Sequence, residues 1–316
     1  MKYDVSVVGL YILDVLGRPV AHIPEAGNVE FIDQIRLTVA GTAGGSAVDC
    51  AKLGMKTLAV GAVGNDEKAG FVVSTLEKFG VDTSLMQHLD AVPTSSTILC
   101  IRPNGDRPAL HQRGASGHFS IPESFYPQIF DTQFLHMGGT GLLDAMDGKP
   151  TLALLQNAKA RQCTTSFDLI APNSRTIDLV EPLLPYIDYF IPSIEEARLL
   201  SRLFTPEDVA QFFLDRGAST CVFTMGAAGS FVSNRTTKFY VPAYEVAVVD
   251  TTGCGDAYTA GFLAALHHDF DLETTARFAT ATSALVATGL GSDAGIVSFD
   301  HTWESMGKLK AKVFQR

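Results

Sequence analysis

No apolar run among the 316 residues is long enough to cross a bilayer, no Cys-x-x-Cys pair occurs, and no basic cluster breaks a formal net charge of −10. The first absence points to a soluble globular chain. The second, with five scattered cysteines (Cys50, Cys100, Cys163, Cys221 and Cys254), excludes a disulfide framework and a zinc cluster and leaves reduced thiols. The third disfavours nucleic acid and acidic membranes, which need a positive field, although backbone N–H groups can still hold a phosphorylated ligand. Only Gly9 follows the first apolar run, so the Gly-x-Gly-x-x-Gly fingerprint of a dinucleotide-dependent dehydrogenase is missing, and no Gly-x-x-x-x-Gly-Lys-Ser/Thr phosphate loop occurs. Internal repeats, low-complexity tracts and linkers are lacking too. The opening "MKYDVSVVGL" is broken by Asp4 and Ser6 and reads as a buried strand rather than a signal sequence, so the expected location is the cytoplasm.

What is present is a rhythm. The runs "YDVSVVGL", "TLAVGAVG", "FLHMGG", "TTSFDL", "DYFIPS" and "TCVFTMG" are each followed by a longer amphipathic stretch. This predicts an α/β fold of the Rossmann-like, doubly wound kind, a mostly parallel sheet flanked by helices. Asp66 to Phe79 reads as a helix stopped by Gly80, and Thr205-Pro206-Glu207-Asp208 as a helix start. Residues 12–40 hold no convincing helix, and residues 96–113 read as a hairpin turning at Asn104-Gly105. Together these predict one domain over residues 1–316 carrying a small β lid. A sheet with so little core should be mobile or pair with a second subunit, so a homodimer through the lid is expected.

Two glycine-rich stretches carry the chemistry. In "VDTTGCGDA", Gly253 and Gly255 allow close backbone approach where a strand yields to a small-residue helix, whose first N–H groups attract an anion. Asp256 beside such a site suits a base that takes a proton from an attacking hydroxyl, but for an isolated Gly-x-Gly-Asp a plain helix cap is the commoner explanation. In "AGTAGGSAVDCAKLG", Gly44-Gly45 opens a helix running to Gly54, where paired glycines either admit a polar ligand or simply make a tight turn.

The order and spacing of these stretches resemble the ribokinase-like (PfkB) family of carbohydrate and nucleoside kinases. The first signature is met by Gly44-Gly45, Asp49 and Leu53-Gly54, and the second by Asp250, Thr251, Gly253, Gly255, Asp256, Tyr258 and Gly261. Gly64 and Asp66 resemble the family's Gly-x-Asp segment, and Thr224, Gly226 and Gly229 its nucleotide strand. The resemblance implies ATP-dependent phosphorylation of a hydroxyl on a sugar or sugar derivative. Asp256 would be the catalytic base, and the N–H groups of Gly253, Cys254 and Gly255 the anion hole. Asp14, Gly44, Gly45 and Asp49 would bind the acceptor, and Thr224, Gly226 and Gly229 would flank the nucleotide. Glu196 would hold Mg2+ through water. Asp250 and the Thr252 carbonyl, with Gly291, would hold a monovalent cation such as K+.

The chain departs from the family in three places. Ser193 stands where the family has Asn in Asn-x-x-Glu, and Ser193-Ile194-Glu195-Glu196 is also a capping box. Asp49 replaces an Asn, exchanging a group that donates for one that only accepts. Ile170 replaces an Asn after Asp168, so Asp168, Asn173 and Arg175 receive no role. Arg107 and Arg113, on or after the hairpin, are candidates for an acidic group of the acceptor, and a nucleoside acceptor would need a wall such as Tyr11 or Phe119. The competing readings are a nucleoside kinase and a catalytically silent sugar or nucleotide sensor, since fold does not fix function.

Overall fold

The structure is a computed structural model describing residues 1–313. The six apolar runs form six parallel neighbours of a nine-stranded sheet. These are β1 (Tyr3–Gly9), β4 (Thr57–Gly64), β8 (Thr132–Thr140), β9 (Thr164–Leu169), β10 (Tyr189–Phe190) and β11 (Thr220–Thr224). β5 (Asp82–Leu89) extends the parallel part beside β4, while β12 (Ser230–Asn234) and β13 (Lys238–Val241) close the other edge antiparallel. The strand order is β13-β12-β11-β10-β9-β8-β1-β4-β5. Helices cover both faces, which is why strands such as β4 are buried at every residue and read as unbroken apolar runs. The Asp66 side chain caps the Glu67–Lys78 helix by accepting from Ala69 N (3.0 Å), and Thr205 caps Pro206–Asp215, as their sequences predict.

The two irregular segments build a separate four-stranded sheet. It consists of β2 (Ile12–Arg18), β3 (Gln34–Ala40), β6 (Ser96–Cys100) and β7 (Ala109–Gln112), in the order β3-β2-β6-β7. β6 and β7 pair as the expected hairpin. Its tip is wider than a two-residue turn: Arg102 N donates to Asp106 O (2.8 Å), and of the Asn104-Gly105 pair only Gly105 takes positive φ (89°). Polar contacts pin the small sheet and the segment leading into it to the body. Thr94 donates its N–H and hydroxyl to Asp66 (3.0 and 2.6 Å), and from β3 Arg36 forms an ion pair with Asp293 at 2.7 Å while also donating to Leu290 O.

Candidate active site

The Cys254–His267 helix is where the chemistry concentrates. Its N-cap, Gly253, is left-handed (φ 76°, ψ 2°) and offers no side chain to the first turn. Any helix leaves its first N–H groups unsatisfied within itself. Here the Gly253 and Gly255 N–H groups find no protein acceptor among the described residues, and Cys254 N reaches only Thr251 O at 3.3 Å. Asp250, almost fully buried, braces the turn. Its Oδ1 accepts from Thr252 N (3.0 Å) and Thr252 Oγ1 (2.8 Å), and its Oδ2 from Gly291 N (3.0 Å). Bare amides held rigid in this way, with the positive helix end behind them, have the arrangement that suits an anion.

Asp256 follows within the first turn. Burial pushes its carboxyl up to about 8; the negative charge of Asp14 adds to this, Arg107 opposes it, and Glu196 raises it further. Asp14 lies on β2, so the small sheet and the body present carboxyls to one shared space. Its own carboxyl rises to about 6 through burial, with the Thr97 hydroxyl lowering it, Asp250 raising it and Arg107 lowering it. Thus Arg107, exposed at the hairpin tip, reaches the field of both acids, whereas Arg113 pairs with Asp144 at the surface (2.9 Å).

Packing distributes the first glycine-rich stretch differently from the sequence reading. The helix spans Thr42–Lys52 with Gly41 (φ 86°) as N-cap, so it opens before Gly44-Gly45, which sit inside its first turns. A Cβ on Gly45 would lie 2.7 Å from Asp256 Oδ2, so this glycine is what lets the two helices cross beside the carboxyl. A Cβ on Gly44 would instead meet Val39 (3.1 Å) and the Tyr11 ring (3.4 Å) in the core. Asp49 lies one turn beyond Gly45 and is fully buried, and neither carboxylate oxygen has a partner among the described residues. Burial raises its carboxyl well above the usual range; Lys52 opposes this, and Asp293 and Asp256 add to it.

A fourth carboxyl group received no role from the sequence. Asp168, at the end of β9, is buried, and burial followed by the charges of Glu196 and Asp256 raises it well above the usual range. Its sequence cues are the family's Asp-x-Asn-x-Arg, which Ile170 interrupts, and its position at the carboxyl end of a parallel strand, where α/β sheets place ligands. Glu196 forms the capping box: its Oε2 accepts from Ser193 N (3.0 Å) and Ser193 Oγ (2.7 Å). Arg175 N donates to the Asn173 side chain (2.9 Å) in a local turn that Thr176 closes with Asn173 N (2.9 Å). Among the described residues no three His, Cys, Asp or Glu side chains converge to hold a metal by themselves.

Thr224, Gly226 and Gly229 line one cleft of about 210 Å³ together with Thr251, Cys254 and Gly255. Gly229 (φ 102°) is required there, since a Cβ would lie 2.0 Å from Val241 O. The floor, which carries no sequence signature, is apolar: Val246, Val248, Ala284 and Ala287. Cys254 belongs to the cleft, but its thiol donates to Ser283 O (3.6 Å) and burial holds it at about 11, with that hydrogen bond opposing. It is protonated at neutral pH and unsuited to nucleophilic attack. Cys254→Ala should therefore keep turnover within about threefold of wild type, because its backbone N–H remains; a loss beyond about a hundredfold in a steady-state assay would give the thiol a chemical role.

Neither suggested aromatic wall is open to a ligand. Tyr11 and Phe119 are fully buried, and the Tyr11 hydroxyl donates to Val7 O (2.8 Å). At the far end of the Cys254–His267 helix, His267 bonds Gln133 (2.7 Å) and His268 stacks on Phe299.

The pfkB family carbohydrate kinase profile matches residues 2–298. The ATP-dependent 6-phosphofructokinase of Thermoanaerobacterium thermosaccharolyticum is 25% identical over 98% of this chain and 95% of its own length. The 2-dehydro-3-deoxygluconokinase of Bacillus subtilis is 25% identical over 86% of this chain and 87% of its own. Among solved structures, an E. coli protein described as a ribokinase II, in complex with ATP and Mg2+, superposes with a TM-score of 0.83, 21% identity, and 96% and 99% of the two chains covered. The chain belongs to the pfkB family of carbohydrate kinases, phosphotransferases with hydroxyl acceptors.

Proposed function

We propose that the protein transfers the γ-phosphoryl of ATP to a hydroxyl of a sugar derivative, with Asp256 as general base. The observation that carries this reading is one turn in which free backbone amides, a left-handed glycine and a carboxyl of raised pKa stand side by side at the end of the cleft lined by Thr224, Gly226 and Gly229. The acceptor hydroxyl loses its proton to Asp256 as its oxygen bonds to the γ-phosphorus. The bond from phosphorus to the β,γ-bridging oxygen breaks, and ADP leaves with that electron pair. The amides of Gly253, Cys254 and Gly255 stabilise the charge on the transferred group. The small sheet, carrying Asp14 and Arg107, acts as a lid that limits water.

Asp168 and Glu196 bring only oxygen donors, and neither gains a compensating cation among the described residues. Such a set fits Mg2+ held through its waters. Held there by Asp168 and Glu196, the ion would supply positive charge that offsets that of the phosphates. Asp250 Oδ2, with a single hydrogen bond, keeps capacity for a monovalent cation beside the Thr252 carbonyl.

Arg107 favours an acceptor that carries an acid group, because an exposed guanidinium whose charge is felt by Asp14 and Asp256 suits a carboxylate or phosphate remote from the reacting hydroxyl. The burial of Tyr11 and Phe119 weighs against a nucleoside. An ATP-consumption screen over neutral sugars, sugar acids, sugar phosphates and nucleosides, with and without potassium, tests the reading. Turnover is expected with an acidic sugar, and no turnover with any class would return the sensor reading.

The outer face of the small sheet also supports a homodimer. Leu37, Val15, Ile98 and Leu110 lie directly across the four strands, and Leu37, Ile98 and Leu110 are 44%, 52% and 69% exposed. Covering such a stripe with a second copy removes apolar surface from water. Light scattering at low micromolar concentration should give twice the chain mass, and Ile98→Asp should give monomers; a monomeric wild type would contradict the pairing.

A further inference from the structure

We infer that the segment Leu309–Val313 forms a wall of the nucleotide cleft and that Lys312 contacts the nucleoside half of the nucleotide there. The inference rests on reading this cleft as the nucleotide site. After the Phe299–Lys308 helix the chain runs antiparallel to residues 243–245. Glu245 N donates to Lys310 O and Lys312 N to Ala243 O, both at 2.8 Å, with Tyr244 and Ala311 bridged between them. Leu309 packs with Tyr244, Val246 and Ala284, so the strap is seated on residues that also line the cleft.

Strand geometry then aims one side chain inward. Ala311 and Val313 are exposed while Lys312 between them is half-buried and lines the cleft, the alternation expected of extended chain. Among the described residues Lys312 is the only charged side chain on that lining, which is otherwise glycine, alanine, valine and uncharged polar residues. A largely apolar slot with a single cationic donor at its rim recognises a flat heteroaromatic ring or its ribose by shape plus one oriented hydrogen bond. Lys312 is tied to Ala243, whose N lies 2.6 Å from where a Gly229 Cβ would sit. It therefore belongs to the Gly229 side of the cleft and not to the Thr251–Gly255 turn proposed for the phosphates.

Calorimetric titration of the full chain with adenosine and with ATP tests this. Lys312→Met, which keeps length and removes the donors, should weaken both ligands by the same factor, about tenfold, the worth of one hydrogen bond from a charged group. A chain ended after Leu309 should lose at least as much. Lys310→Gln, whose partner Glu245 pairs with it at the exposed surface (3.2 Å), should stay within about twofold, since such pairs are worth little. Wild-type affinity for both ligands in Lys312→Met would overturn the inference, as would a loss confined to ATP, which would move Lys312 to the phosphates. A wild-type chain that binds neither ligand would refute the reading of the cleft, and the inference with it. If the shortened chain fails to fold, the two point variants still decide.

Discussion

Asp256→Asn is expected to lose turnover by at least about a thousandfold and, at the same time, to melt at a higher temperature than wild type. Both effects come from one carboxyl. An amide cannot accept the hydroxyl proton, so the step loses its base. The stability gain follows from the raised pKa, whose causes are burial first and then Asp14, opposed by Arg107. In the unfolded chain the group titrates near the ordinary carboxylate value, whereas in the folded chain it holds its proton to about pH 8. Between those values the folded state binds more protons. Its stability is therefore complete at low pH and is lost as pH climbs from about 4 to about 8.

Asn removes that dependence, so the melting difference should be absent near pH 4 and largest at pH 8 and above. Asp256 keeps some exposure to the cleft, and discounting for that screening leaves about 2 kcal/mol, or roughly 4 °C. In wild type, kcat/KM should rise with pH toward 8 as the base ionises. Thermal melts over pH together with steady-state rates check both halves. Retained turnover would remove Asp256 from the chemistry, and a lower melting temperature at pH 8 would mean that its charge is compensated in the fold.

Gly253→Ala is expected to cost about a hundredfold in kcat and about 2 kcal/mol of stability. At φ 76° any Cβ is strained, and here it would lie 2.4 Å from both Cα and Cβ of Ser292. Backbone cannot rotate out of the way as a long side chain can. Ser292 is itself held, donating to Val39 O (2.6 Å) and lying 3.2 Å from the Thr38 hydroxyl on β3. The displaced turn would therefore carry its amides away from their aim and disturb the seam with the small sheet. Gly255→Ala is the contrast: its Cβ would meet nothing within 4 Å, and alanine is the better helix former. Its melting temperature should match or exceed wild type, and any kinetic loss should come from crowding the phosphate alone. Equal thermal losses in the two variants would contradict this account of the turn.

The legibility of the molecule follows the range of the interactions involved. Parallel strands buried on both faces, such as β4 and β8, spell themselves out as continuous apolar runs, and caps such as Asp66 and Thr205 act within four residues. β12 and β13 are shorter and sit at the sheet edge, where "SFVSN" and "KFYV" carry no such run. Alanine and glycine around Gly41–Gly45 gave no periodic cue to the helix start, which is set by Gly41 meeting Leu10 O, 2.4 Å from where its Cβ would lie. Asp256 is conspicuous because the glycines that precede it, Gly253 and Gly255, are local in sequence, although the Asp14, Arg107 and Glu196 charges that act on it are not. Asp168 and Lys312 are not conspicuous, because what surrounds them arrives from distant strands and from a strap on another part of the chain.

Soaking crystals with a non-hydrolysable ATP analogue is the most direct measurement. The γ-phosphate is expected within hydrogen-bonding distance of the Gly253 and Gly255 amides, beside the Asp256 carboxyl, with the base over Val246 and Val248. A triphosphate resting away from that turn, with its amides still bare, would contradict the account.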